Sequence, residues 1–304
     1  MANLKEIRTR ISSVTNTQKV TSAMKMVSAA KLRKAQDAVT KVRPYSQKMQ
    51  EIIEIVSSAA SVGRFTSPLY TSNYSGKVLI ILVTSNKGLC GIYNTAIVRY
   101  MLDWVESHKD TDLKYRDLEF ITVGKKGFDM LSRLNYKIID RNDELANKSN
   151  YKISEQFIYD LIQRFLKDEF CEIHIFYNRF INAASHKPMG EKLLPISVSK
   201  QEKAAQTDKA EKAERALSAD FILEPNPEAI LNDLTIKALE MQFHKVILDS
   251  AASEHGARMT AMHQATSNAS ELIYNLTLFY NKARQDAITN ELLEIVSGAN
   301  ALKG

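Results

Sequence analysis

The sequence predicts an α/β fold in which a long antiparallel coiled coil of N- and C-terminal helices accompanies a central, mostly parallel sheet domain. Three observations carry this. Residues 258–299 contain no proline, and apolar or small residues recur at Met262, Ala265, Ala269, Leu272, Leu276, Phe279 and Ala283, in steps of three and four. That is a narrow seam of the kind that packs lengthwise on one other helix. Residues 3–58 open with a similar stripe at Leu4, Ile7, Ile11 and Val14. Between the two ends, short apolar runs alternate with amphipathic stretches, the pattern of a sheet crossed by helices.

Taken in order, the N-terminal helix begins with Asn3 and Glu6, which resemble a capping box. Its stripe drifts through Val20, Met24 and Val27 and returns at Met49, Ile52 and Val56, with Pro44 expected to kink or divide the helix. Residues 59–76 carry the turn residues of a linker. The continuous apolar run Lys77–Thr84 then reads as a strand buried on both faces. Helix Tyr93–His108, strand Leu118–Val123, helix Lys125–Leu134, strand Lys137–Asp140, helix Ser154–Lys167 and strand Glu172–Phe180 follow. This βα alternation predicts a Rossmann-like domain over 77–199. The Lys/Glu/Ala-rich tract 200–219 has no apolar face and falls within a charged insertion and connection, 200–225. Pro227 then launches the C-terminal helix of 226–304, balancing the N-terminal one of 1–58. After a one-residue slip its seam resumes at Ile288, Leu292, Ile295 and Ala299, while Arg258, Gln264, Asn268, Asn275, Asn281, Arg284 and Gln285 form an amide-rich face suited to a partner.

Charge is lopsided. Residues 1–51 hold eleven Lys or Arg against Glu6, Asp37 and Glu51, a net charge of +8, although the whole chain carries +6. An acidic partner for the N-terminal helix follows: nucleic acid, an anionic membrane surface or acidic protein loops. No run of eighteen apolar residues exists to span a bilayer, and the first residues lack the apolar core of a secretory signal. Cys90 and Cys171 read as buried free thiols.

Catalytic signals are sparse. Ser85–Gly91 and Gly124–Gly127 occupy positions where phosphate loops sit, but each holds only G-x-x-G, short of a dinucleotide or P-loop fingerprint. Tight turns and close helix–strand packing account for both. The six histidines show no metal-binding spacing, and no nucleophile elbow occurs, so no metal, cofactor or catalytic residue is expected.

Three segments carry a resemblance: KEIRTRISSVTNTQKVTSAMKMVSAAKLRKAQ near the start, TSNKGLCGIYN after the first strand, and ARMTAMHQATSNASELIYNLTLFYNKARQDAITNELLEIVSGANAL at the end. Together they resemble the gamma subunit family of F-type ATP synthase along essentially the whole chain. The resemblance implies a non-catalytic rotor shaft. Its partners would be the alpha and beta subunits of the catalytic hexamer, the epsilon subunit and the membrane c-ring, with no nucleic acid and no homo-oligomer. It would transmit torque that couples proton or sodium transport to ATP synthesis or hydrolysis. Met24 and Lys25 match the turn facing an acidic beta-subunit loop. Arg258 and Gln285 match residues that hydrogen-bond a beta subunit, with Arg284 and Thr289 nearby. Leu292 to Leu302 match the tip turning in the ring, and Glu224 the foot near the c-ring and epsilon. Asn86 departs from the family's usual aspartate and Leu223 from a common aromatic. The expected setting is peripheral, at the cytoplasmic face of a bacterial inner membrane.

Overall fold

Six of the seven residues in Lys77–Val83 are buried, and this apolar run forms β1, the centre of a five-stranded sheet. The computed structural model describes residues 4–60, 68–70, 77–108, 117–147, 149–196 and 227–301. Parallel to β1 run β2 (Leu118–Val123) on one side and β4 (Phe170–Asn182) on the other, pairing Leu79 with Glu119 and with Ile173. The strand β3 (Ile138–Asn142) continues the sheet beyond β2 in parallel, and β5 (Ser185–Leu194) closes the other edge antiparallel to β4. The order is β3-β2-β1-β4-β5.

The pleat splits the core in two, because successive side chains of a strand point to opposite faces. Val78, Ile80 and Leu82 meet Ile97, Val98 and Met101 of α2 (Tyr93–His108) and Leu131 of α3 (Lys125–Arg133). On the other face Leu79, Ile81 and Val83 meet Phe157, Ile158 and Leu161 of α5 (Tyr151–Leu166), which follows the short α4 (Asp143–Asn147). That second face also takes Leu239, Phe243, Val246 and Ile247 of α6 (Pro227–Ala301). The early part of the C-terminal helix is therefore a core helix of the sheet, with Pro227 as its first residue.

Among the described residues the expected strands and helices are present, with boundaries moved by a few residues, and three further elements appear: a 3-10 turn at Pro68–Tyr70, α4 and β5. α4 is a five-residue turn of helix. β5 went unpredicted because SHKPMGEKLL lacks alternation and contains Pro188 and Gly190, which argue against a central strand. At an edge the missing N–H of proline costs no ladder bond on the open side. Pro44 stands inside α1 (Leu4–Ala60), which is not divided there.

The chain forms two compact units, residues 30–257 and residues 1–29 with 258–304. In the second, the helices run antiparallel. Gln18 Nε2 donates to Ser270 Oγ at 2.7 Å, and Thr266 donates to Thr21 Oγ1 at 2.8 Å, so the register falls on one side as it rises on the other. The inward positions of α1 are Leu4, Ile7, Ile11, Val14, Gln18, Thr21, Lys25 and Ser28, a strict seven-residue repeat. Its centre is polar and small, and Thr15, Thr17 and Ser28 return their hydroxyls to carbonyls four residues back.

The phase of this coil corrects the sequence reading. Val20 and Val27 are more than half exposed, and on α6 Leu272 and Phe279 turn outward at 40% and 50% exposure. Ile273 and Tyr280 take their place beside Met262, Ala269, Leu276 and Ala283. Two apolar rows one residue apart fit the same periodicity. The Thr21–Thr266 and Gln18–Ser270 bonds fit only one of them.

Candidate functional site

In an open parallel sheet the natural ligand crevice lies at the carboxyl ends of the strands where the order reverses, here between β1 and β4. In this protein that place is filled from within. Val83 and Thr84, at the end of β1, lie beside Ile247, Ser250, Ala251 and Glu254 of α6. Tyr93 OH hydrogen-bonds Ser250 Oγ at 2.5 Å, and Ser253 Oγ donates to the carbonyl of Asn178 at 2.9 Å.

The N-terminus of α3 beside it, which would offer N–H groups to a phosphate, is capped by the chain itself. Lys125 N donates to Asn86 Oδ1, Lys126 N to the Ser85 carbonyl and Gly127 N to Thr84 Oγ1, all within 3.0 Å. Asn86 also donates through Nδ2 to the Asp143 carbonyl at 2.7 Å. An aspartate could accept but not donate, so the departure at this position has a structural use. Gly127 is a packing residue, since a Cβ there would lie 2.7 Å from Thr84 Oγ1, and Gly91 and Gly124 take positive φ in tight turns. The loop thus holds itself rigid, and it leaves Leu89 and Ile92 outside at 64% and 71% exposure. Leu89 sits at a φ of 61°, unusual for a bulky residue. Sequence reasoning passed over both, and their only signal was two large apolar residues between loop glycines.

The residues singled out for partner contact do not converge on one cleft. Met24 and Lys25 are half-buried in the coil, and Lys25 occupies its seam. Arg258 is buried. Arg284, Gln285 and Thr289 are exposed. Carried back to Leu4, the register of the coil has α1 running out near Arg284. Beyond it every residue from Arg284 to Ala299 is exposed, among them Ile288, Leu292, Leu293, Ile295 and Val296 at 49% to 61%. Apolar area of this extent marks a surface that a partner covers. Val20, Met26 and Val27 add exposed apolar area on α1. Glu224 and the segment 200–225 lie outside the described residues.

Among the described residues no three His, Cys, Asp or Glu side chains are grouped to hold a metal ion, and no helix is long and apolar enough to cross a membrane. Cys90 and Cys171 are buried and are not joined in a disulfide.

One titrating pair lies between α5 and α6. Burial pushes the Glu240 carboxyl up from its ordinary 4.5, opposed by a hydrogen bond from Tyr151 OH, and burial pushes His244 down from 6.5. Burial lowers His186 as well. The depressed histidines weaken the fold as pH falls below 6.5, because the unfolded chain then binds protons that the folded one resists. The raised Glu240 acts oppositely, strengthening the fold as pH falls from its raised value toward 4.5. Glu240→Gln removes that compensation. The melting temperature of the variant should therefore fall more steeply as pH drops below 6.5 toward 4.5 than that of the unaltered chain, and parallel curves would refute the assignment.

An α/β unit whose sheet crevice is filled by its own helix, together with a two-helix coil ending in exposed apolar turns, defines a protein built around surfaces that partners can cover. A family model described as ATP synthase matches residues 3–302. The chain is 42% identical over 304 residues to an ATP synthase gamma chain of Flavobacterium johnsoniae and 44% identical over 305 residues to that of Christiangramia forsetii, each match covering the full length of both proteins. Among solved structures, a chain of the Euglena gracilis mitochondrial ATP synthase (OSCP/F1/c-ring) matches with a TM-score of 0.66 at 20% identity, over 98% of this chain and 94% of that one. A chain from the central stalk and c-ring of the Tetrahymena thermophila enzyme matches with a TM-score of 0.54 at 25% identity, over 81% and 99%. The chain belongs to the ATP synthase gamma-chain family.

Proposed function

We propose that this chain is the central-stalk rotor subunit of an F-type ATP synthase, a non-catalytic part that carries torque between a membrane c-ring and three catalytic beta subunits. The observation that carries the reading is the end of α6. Sixteen consecutive exposed residues, with five large apolar side chains among them, form a helix tip that needs surrounding protein. The family's full-length match supplies the setting, and the solved relatives come from a central stalk/c-ring assembly and an OSCP/F1/c-ring assembly. An asymmetric coil inside a ring of three like sites favours a different conformation at each, which is a population shift imposed by contact.

Within that reading Gln285, Arg284 and Thr289 are the polar contacts beside the tip, and Met24 and Lys25 the contacts on α1 for an acidic beta-subunit loop. Basic α1 against acidic loops attracts without one fixed pairing, which suits a contact that turns. Arg258 acts from a buried position and Glu224 belongs to the foot, facing epsilon and the c-ring. The assembly would lie at the cytoplasmic face of a bacterial inner membrane, this chain being peripheral.

Tagged chain expressed in a bacterial host should bring down alpha and beta subunits, and its failure to do so would end the proposal. Leu292→Lys with Ile295→Lys should leave the melting of the isolated chain within about 0.5 kcal/mol, since both sites are exposed. The same pair should depress coupled ATP synthesis in the complex. Gln285→Ala should lower coupled activity without a stability change, and it is a cleaner test than Arg258→Ala because Gln285 is exposed and Arg258 is not.

A further inference from the structure

We propose that a buried polar clamp fixes α6 against rolling on the sheet, making residues 227–257 the point where torque enters the helix. The proposal rests on the rotor reading above. Its parts are Tyr93 on α2, Asn178 on β4 and Ser250 and Ser253 on α6, each at most 2% exposed.

The four groups close a ring through three elements. Tyr93 OH bonds Ser250, reaching its carbonyl at 3.1 Å and its Oγ at 2.5 Å. Asn178 Nδ2 donates to the Tyr93 carbonyl at 3.0 Å, and Ser253 Oγ donates to the Asn178 carbonyl at 2.9 Å. One turn further on, a Cβ at Gly256 would stand 2.9 Å from the Ala183 carbonyl oxygen, so the helix backbone is seated against the β4–β5 turn. Burial holds the tyrosine in its neutral, donating form by raising its pKa well above the ordinary phenol.

Why this resists torque follows from the kinds of force involved. Apolar contacts such as Phe243 and Val246 against the sheet are non-directional, and a helix resting on them alone gives up little when it rolls by a few degrees. Hydrogen bonds weaken steeply off line, and a buried group that loses its partner finds no water to replace it. Ser250 and Ser253 are three residues apart, so they share one face of α6 and both bonds strain together when the helix turns. A rotor needs this stiffness where a folded domain grips a helix. Nothing in a coiled coil alone would supply it.

The test uses the assembled ATP synthase containing this chain, reconstituted in vesicles, with ion uptake per ATP hydrolysed measured with and without an opposing ion gradient. Tyr93→Phe combined with Ser253→Ala should lower that ratio roughly threefold or more under the gradient, with the ATPase rate largely retained. Val246→Ala removes apolar packing from the same helix while sparing the polar ring, and it should leave the ratio unchanged. An unchanged ratio in the double variant, or an equal fall in both, would overturn the clamp. Should the unaltered assembly hydrolyse ATP without moving ions, the rotor reading itself falls, and the clamp with it.

Discussion

Phe243→Ala should destabilise the chain by about 3–5 kcal/mol, the usual cost of emptying a phenylalanine site in a core. The ring is fully buried and stacks on Phe157 of α5 with centroids 5.2 Å apart and an interplanar angle of 22°. It lies where α5, α6 and the sheet meet, and the neighbours on all three elements cannot collapse together into the space. Phe279→Ala, on the same helix, should change stability by no more than about 0.5 kcal/mol, because that ring is half exposed on the outer side of the coil. Urea denaturation of the two full-length variants measures both. Equal losses would mean that the seam of α6 has the phase first read from the sequence, with Phe279 inside.

Gly124→Ala should cost about 3 kcal/mol or more, through two effects that add. The residue has a φ of 101°, a conformation that side chains rarely adopt, and an added Cβ would meet the Thr84 carbonyl oxygen at 2.4 Å. That oxygen is backbone at the end of β1, held by the sheet, and cannot swing away as a side-chain terminus could. Gly298→Ala has the opposite expectation. It lies inside α6 with nothing within 4 Å of its Cβ position, so alanine should stabilise the helix by about 0.5–1 kcal/mol. Thermal melting of the pair settles the comparison, and a mild effect at Gly124 would contradict the close approach of the two loops.

Much of the architecture was legible from local pattern. Lys77–Val83 could only be a doubly buried strand, because seven residues with six apolar side chains have no face to offer water. Helix Tyr93–His108 and strand Leu118–Val123 fall where periodicity placed them. The exposure of Ile288, Leu292 and Ile295 was not legible from spacing, which read them as a resumed seam. β5 was hidden because an edge strand needs neither alternation nor a full set of N–H donors. Its ten residues become a strand only by pairing with β4.

By itself, then, the sequence determined the α/β class, the two terminal helices and the family, through periodicity and motif. Tertiary structure alone decided which apolar row of α6 faces α1, since rows one residue apart satisfy the same spacing and only the partner's hydroxyls distinguish them. It also decided that the first part of α6 belongs to the sheet. A buried helix face and a coiled-coil face both read as threes and fours, and what lies opposite is recorded only in three dimensions.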